Sequence, residues 1–413
     1  VLNRLNTSKA IYLIDLIIEH CIMAVAFFLP LSLNVTSVLL AAGGFFWLLK
    51  MIMAKSIFSQ RTLFDGLIVF YVIWSGLSIT NSPDTDFSSY NYYQLFGRYV
   101  LIYYLIVNNI QSQEQLKRLV KSMMISAILV VMYGFYQYTQ GMDISTLEWV
   151  DDHQFPEIKI RVFSTLHNPN LLAGFLVIMS AIIAGLSCGV QKIRHRVLLY
   201  GLLLMLAACL LFTYSRGAWV SILAVIVIFS LLYSRKFFWL LLLIPLLLLY
   251  GQHNAWERVL SIFNPTDTSA SMRMALWEST MAMIMDKPWF GVGWGAYWLA
   301  YPQYDFYIHN AETTIFHAHN MYLGLAAEIG IPGLLSFLAI LCGHMLLTFK
   351  LLRQGSKWMA GLMLGILAAL ASLAVGGITD YILFNIQMSM LFWLLLAIVT
   401  VAWQLEKRQW KRR

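Results

Sequence analysis

Three residues of this chain have the type and setting for moving a proton and holding an anion: His319, Arg216 and Arg273. His319 lies in the run Phe316-His317-Ala318-His319-Asn320-Met321, just before an apolar stretch. An imidazole with an unperturbed pKa of about 6.5 accepts a proton near neutral pH and passes it on, which suits a general base. Metal binding is the rival reading. Residues two apart face apart on a helix, however, and neither a helical H-E-x-x-H pattern nor an acidic facial triad accompanies the pair. A structural capping role is the third alternative; no metal and no other cofactor is expected. Glu328, Gly330, Pro332 and Gly333 then interrupt the helix that His319 begins, and Pro332 is expected to kink it at the membrane edge.

Arg216 stands in Thr213-Tyr214-Ser215-Arg216-Gly217, with roughly seventeen apolar residues on either side and no room for a solvated loop. That places it at a membrane surface, where the anionic headgroup of a lipid carrier would sit. The bland alternative is a snorkelling interface arginine. Arg273 is expected in the first turn of a helix over Ser271–Asp286, with Ser269 or Ser271 as N-cap and Pro288 closing it. Unpaired N–H groups and the positive dipole end make such a turn an anion site. An ordinary salt bridge from Arg273 to Glu257, Asp267 or Glu278 is the alternative. Two separate arginines suit a diphosphate, whose oxygens accept bidentate hydrogen bonds. Arg161, His167, Asn168 and Asn170 gather at the mouth of another apolar run, as sugar or phosphate contacts or, for Asn168 or Asn170, as a helix cap.

The elements that must position these groups are membrane spans. Of 413 residues 60% are hydrophobic and 12% charged, too little polar surface to wrap a soluble globule. Apolar runs of crossing length recur, and about twelve helices are expected. They lie near 12–32, 35–53, 64–80, 91–107, 119–138, 169–188, 197–213, 217–233, 237–251, 320–349 (broken), 358–376 and 382–404. The expected fold class is an all-α integral-membrane bundle with a long extracytoplasmic loop containing short helices. Three parts are expected: 1–250, with nine spans and a smaller outward loop near 141–168; 251–319, a large catalytic loop; and 320–413, with the last spans and a basic tail.

The net charge of +8 is distributed for topology. Lys50, Lys55 and Arg61, then Lys117, Arg118 and Lys121, then Lys192, Arg194 and Arg196, and so on to the tail, fall in alternate connections. That side is read as cytoplasmic, with both termini inside. Nucleic-acid binding is excluded, since no basic stripe with stacking aromatics lies on a soluble segment. The opening segment does not read as a cleavable signal, because Asp15, Glu19 and His20 interrupt its apolar centre; an initiator Met is expected to have been removed ahead of Val1. Cys21, Cys188, Cys209 and Cys342 have unrelated spacings and suggest neither disulfides nor a zinc site. Gly291-Val292-Gly293-Trp294-Gly295 follows a helix rather than a strand and reads as a tight turn. The loop helix before it carries too many apolar residues to stand free, and is expected against the membrane surface or the bundle.

These residues, in this order, resemble the bacterial O-antigen ligase and polymerase superfamily, which includes pilin O-oligosaccharyltransferases, from about Arg161 to Gly333. The most specific element is His followed by Asn, Ser or Gln, nine residues, then Gly-x-x-Gly; here it reads His319-Asn320 and Gly330-Ile331-Pro332-Gly333. Ser215-Arg216-Gly217, the Ser-x-Arg-x-x-x-Trp of Ser271 to Trp277, and Pro288-Trp289-Phe290-Gly291-Val292-Gly293 are also similar to family segments. The resemblance implies a metal-independent membrane glycosyltransferase that takes glycan from undecaprenyl diphosphate at the outer face of the bacterial inner membrane. His319 would be its base, and Arg216 and Arg273 its diphosphate ligands. Arg161, His317, Asn320, Tyr214 and Asn170 are expected at the substrates, which are a lipid-linked glycan donor and a glycan or lipid-oligosaccharide acceptor among membrane lipids. Ligation with inversion is the first expectation, polymerisation or protein O-glycosylation the second. A lipid or solute transporter is the reading from another class. It fits poorly, because the sequence has no convincing repeat and its intramembrane acids are mainly Asp15 and Glu19.

Overall fold

The structure is a computed structural model and describes residues 2–55, 60–141, 161–242, 268–306 and 315–410. Among these residues it is built from helices and turns without a strand. The helices are α1 (Leu2–Phe28), α2 (Leu33–Met53), α3 (Asp65–Ser78), α4 (Thr85–Gln94), α5 (Leu101–Asn109), α6 (Gln113–Gln140), α7 (Pro169–Gly189), α8 (Ile193–Leu211) and α9 (Arg216–Leu232). From residue 268 onward come α10 (Thr268–Asp286), α11 (Tyr297–Ala300), α12 (Met321–Leu351), α13 (Lys357–Gly376) and α14 (Ile386–Trp410). Eight of these (α1, α2, α6, α7, α8, α12, α13 and α14) are long and apolar enough to cross a membrane, and α9 is a shorter apolar helix. The chain is a multi-pass, all-α membrane protein.

The expected spans are not all single helices. The run near 64–80 is the 14-residue α3 followed by a short 3-10 turn, Ile79–Asn81. The run near 91–107 is divided among the end of α4, a π-helical segment over Leu95–Val100 and the nine-residue α5. Gly97 and Arg98 sit inside that run, and a glycine there weakens a regular helix. The run near 237–251 opens as a 3-10 turn, Arg235–Leu242, and its remainder lies outside the described residues, as does most of the smaller loop near 141–168.

The acids of α1 are matched by bases from neighbouring helices. Asp15 pairs with Lys50 of α2 at 2.5 Å, and Glu19 pairs with Arg118 of α6 while also accepting a 2.9 Å hydrogen bond from Gln115. A charge removed from bulk water needs such a partner. These acids are therefore tied into helix packing.

Helices α7 and α13 pack backbone against backbone, and the reason is glycine. A Cβ added at Gly185 would overlap the Gly361 carbonyl and the Gly365 backbone, and one at Gly365 would meet the Ala181 carbonyl and Ile182. Within a bilayer, where the hydrophobic effect adds little between helices, backbone approach of this kind drives association. Gly376, at the end of α13, then meets Ser221 of α9, so α13 carries the turn after it toward the start of α9.

Helix α12 breaks at Gly330, with φ 71° and ψ 175°. In an unbroken helix Ile331 and residue 332 would donate to the carbonyls of Ala327 and Glu328. Here Ile331 donates to Pro288 (2.8 Å) and Pro332 has no N–H to give. The two freed carbonyls are taken by Val292 (2.8 Å) and Gly293 (3.0 Å), and the Trp74 indole donates to both Ile329 and Trp289 carbonyls at 3.2 Å. The break is thus two residues before the expected kink at Pro332, which sits in the first turn of the second segment, where a missing donor costs little. Gly291, Gly293 and Gly295 all have positive φ (67°, 112° and 68°), so the glycine-rich run is the tight turn its sequence suggests, and its task is to close this gap.

Candidate functional site

Helix α10 lies against α12, burying Leu276, Met283 and Ile284 with Val292, Tyr297 and Ala327 in a small second core. It begins at Thr268, so Ser271 is inside the helix and Arg273 is in its second turn, not its first. Asp267, Glu257 and the N-cap position fall outside the described residues. The favourable helix terminus expected at Arg273 is therefore replaced by another arrangement. Trp277, one turn on and on the same face, donates its indole N–H to the Ala318 carbonyl at 3.1 Å. The Ser-x-Arg-x-x-x-Trp spacing thereby docks Arg273's face of α10 onto the histidine segment.

That segment is not helical. His319 has φ 47°, in the left-handed region, and its backbone N–H donates to His317 Nδ1 at 3.2 Å. The two rings come within 4.3 Å instead of facing apart, which corrects the helical-face argument made from their spacing. Asn320 caps α12, its Oδ1 accepting from Tyr322 and Leu323 at 3.0 Å while its Nδ2 donates to the Ile378 carbonyl. Met321 N–H donates to the Gly377 carbonyl at 2.7 Å. The turn after α13 is strapped to the start of α12 by these two bonds.

On that turn sits Asp380, which the sequence reading did not single out. Its Oδ1 lies 3.5 Å from His319 Nδ1 and accepts the Tyr381 N–H at 2.8 Å. Burial alone would raise its pKa, but the hydrogen bond and charge of His319, with His317 behind, outweigh this and hold it down at about 2. His317 is pushed down to about 3, first by burial and then by the neighbouring His319 and Arg273 charges, against the pull of Asp380. His317 is thus neutral at neutral pH, and Arg273 is near enough to act on it.

Arg216 is the first residue of α9, and a Cβ added at the next position, Gly217, would lie 3.5 Å from Thr379 Oγ1. The start of α9 therefore abuts the turn that presents Asp380. Arg161 binds the Thr213 carbonyl (3.1 Å) and Asn170 Oδ1 (3.5 Å), joining the mouth of α7 to the segment of Tyr214, whose φ is 51°. Asn168 caps α7 through the N–H groups of Asn170 and Leu171, settling which asparagine does so. His167 also adopts a positive φ, 58°, beside this cap.

His317, His319 and Asp380 present ligand atoms within 4.8 Å of one another, close enough for a divalent cation. The hydrogen bonding disfavours one. A neutral His317 that accepts a backbone N–H at Nδ1 carries its proton on Nε2 and has no lone pair left to donate.

Residues 200–338 match the family model described as O-antigen ligase. The chain is also 29% identical over 160 residues to a ComP-specific O-oligosaccharyltransferase of Acinetobacter baylyi. That similarity covers 33% of this chain and 28% of the relative, so the chain spans less than a third of the relative's length in the match.

Proposed function

We propose that this chain, a member of the O-antigen ligase superfamily through residues 200–338, transfers a glycan from undecaprenyl diphosphate to an acceptor hydroxyl at the outer face of the bacterial inner membrane, with both termini cytoplasmic. The observation that carries the proposal is the His319–Asp380 pair, 3.5 Å apart. With Nδ1–H turned toward the carboxylate, Nε2 of the neutral ring holds the lone pair that takes the acceptor proton, and Asp380 steadies the imidazolium that results. The acceptor oxygen then bonds to the anomeric carbon from the face opposite the diphosphate, the bond from that carbon to the diphosphate oxygen breaks, and the configuration inverts. Arg216 and Arg273 neutralise the departing diphosphate, where charge develops in the transition state. Tyr214, Arg161, Asn170, His317 and Asn320 shape the surroundings of these groups.

The reading is tested by incubating the purified full chain with a defined undecaprenyl-diphosphate-linked oligosaccharide and acceptor in EDTA. Product from the native chain and none from His319→Ala is expected. Equal product from both removes His319 as the base, and activity that EDTA abolishes revives the cation reading of the His317, His319 and Asp380 cluster. The named relative is an O-oligosaccharyltransferase, which favours a protein hydroxyl as the second acceptor class. Mass spectrometry of the product separates a glycosylated protein from a glycosylated lipid or a lengthened glycan.

A further inference from the structure

A cavity of about 330 Å³ lies beside the histidine segment, within the size range of small-molecule sites. It shares Tyr381 and Phe384 with the surroundings of His317, whose ring centroid is 4.3 Å from that of Phe384. Trp294, Trp298 and Trp393 supply further aromatic lining. Asn91, Gln94, Glu328 and Ser389 interrupt this wall with polar side chains. Glu328, from the helix turn before the Gly330 break, is held by the backbone N–H groups of Gly295 and Tyr297, which leaves further hydrogen-bonding positions on its carboxyl group. Gln94 is 5% exposed, and its Oε1 has no hydrogen-bond partner among the described residues. Gln94 also immediately precedes the π-helical segment, a distortion often found at functional sites, and Tyr99 of that segment lines the same cavity.

We infer that this cavity seats one sugar ring of a glycan substrate, stacked on its aromatic wall and fixed through its hydroxyls by Gln94 and Glu328. The C–H face of a pyranose carries slight positive charge and suits the negative face of an aromatic ring. Its hydroxyls can pair with an orphaned amide oxygen and a carboxyl group together. An isoprenoid tail would leave the Gln94 amide oxygen unpaired in a largely apolar enclosure, a costly outcome. The choice of ligand class rests on the glycan-transfer reading above, whereas the test reads binding alone.

Saturation-transfer NMR of the full chain in lipid nanodiscs, with the methyl glycosides of glucose, galactose and N-acetylglucosamine as probes, tests the assignment. Saturation of ring protons is expected for at least one probe. Gln94→Leu and Trp298→Leu should each weaken that binding by about tenfold, while His319→Ala keeps it. Unchanged melting temperature and gel-filtration profile identify a folded variant, and Glu328→Gln gives a second, isosteric replacement if Gln94→Leu does not fold. No saturation by any probe overturns the inference, as does equal saturation in the native chain and both cavity variants. Saturation of the isoprene protons of farnesyl phosphate in place of the glycosides makes the cavity a lipid seat and also overturns it. Glycoside binding by a chain with no transferase activity would instead sink the proposed function and leave the sugar seat standing.

Discussion

His319 Nδ1 and Asp380 Oδ1 are 3.5 Å apart, and they belong to helix ends 61 positions apart that one backbone bond and one bond from the Asn320 side chain strap together. In the proposed mechanism the carboxylate selects the tautomer with Nε2 unprotonated. Asp380→Asn should therefore lower turnover by up to roughly 10⁴-fold, the scale for replacing a carboxylate that orients a general-base histidine. The acceptor KM should change little. Initial rates against acceptor concentration check this, and a pure KM effect would remove Asp380 as the orienting group.

Arg273 and Trp277 share a face of α10, with Trp277 anchored to Ala318. Arg273→Ala and Arg216→Ala should each reduce kcat by roughly 10²–10³-fold, as for a lost donor at a developing charge. Trp277→Phe should cost less, because it frees the docking of α10 without removing the cation. Single-turnover rates with a fixed lipid-linked donor rank the three variants; a Trp277→Phe loss larger than that of Arg273→Ala would contradict the order.

Stability should fall as the medium is acidified. His317 is lowered from 6.5 to about 3 in the folded chain, so between those values the unfolded chain binds a proton that the folded chain refuses. Asp380, lowered from 3.8 to about 2, extends the same trend to lower pH. The melting temperature in detergent should drop progressively below pH 6.5. His317→Asn, which retains an acceptor for the His319 N–H, should flatten the slope between pH 6.5 and 4; an identical slope would exclude His317 as its source.

Gly330→Ala should be poorly tolerated. Its φ and ψ of 71° and 175° belong to glycine, and a Cβ would overlap the carbonyl oxygen of Trp289. Backbone strain alone costs about 1–3 kcal/mol, before the clash is counted. A marked fall in melting temperature is expected, against a small one for Pro332→Ala. Comparable losses for the two would place the structural demand at the proline after all.

Gly365→Leu should separate α7 from α13, since its side chain would enter the Ala181–Ile182 backbone. Overpacking of this kind costs about 1–3 kcal/mol or more. Because α13 carries the turn of Asp380, the variant should lose activity along with thermal stability. Full activity in a destabilised protein would uncouple the pair from the site.

Much of this was legible in the sequence where chemistry and local pattern coincide. His319, Arg216 and Arg273 stand at junctions between apolar runs, and glycine spacing announces the turn at 291–295. Asp380 was not legible, because Thr379-Asp380-Tyr381 resembles any polar junction, and only the strap to Asn320 and Met321 gives it a histidine to face. Gln94 and Glu328 converge from α4 and α12, a proximity that no spacing encodes. Hydropathy alone did not show how the expected spans are divided. Around Gly97 and Arg98 an apolar stretch is divided by a π turn, and apolar content says nothing of such a division.

The closure of the Gly330 break constrains how the protein can move. Peeling residues 288–293 away from α12 would strand the carbonyls of Ala327 and Glu328, the Ile331 N–H and the donors that meet them, all within an apolar setting. This part of the loop is consequently a weld between the extramembrane segment and the bundle, and it denies a hinge at that place. Any rearrangement of the described residues around His319 must therefore take place with the 288–293 seam shut.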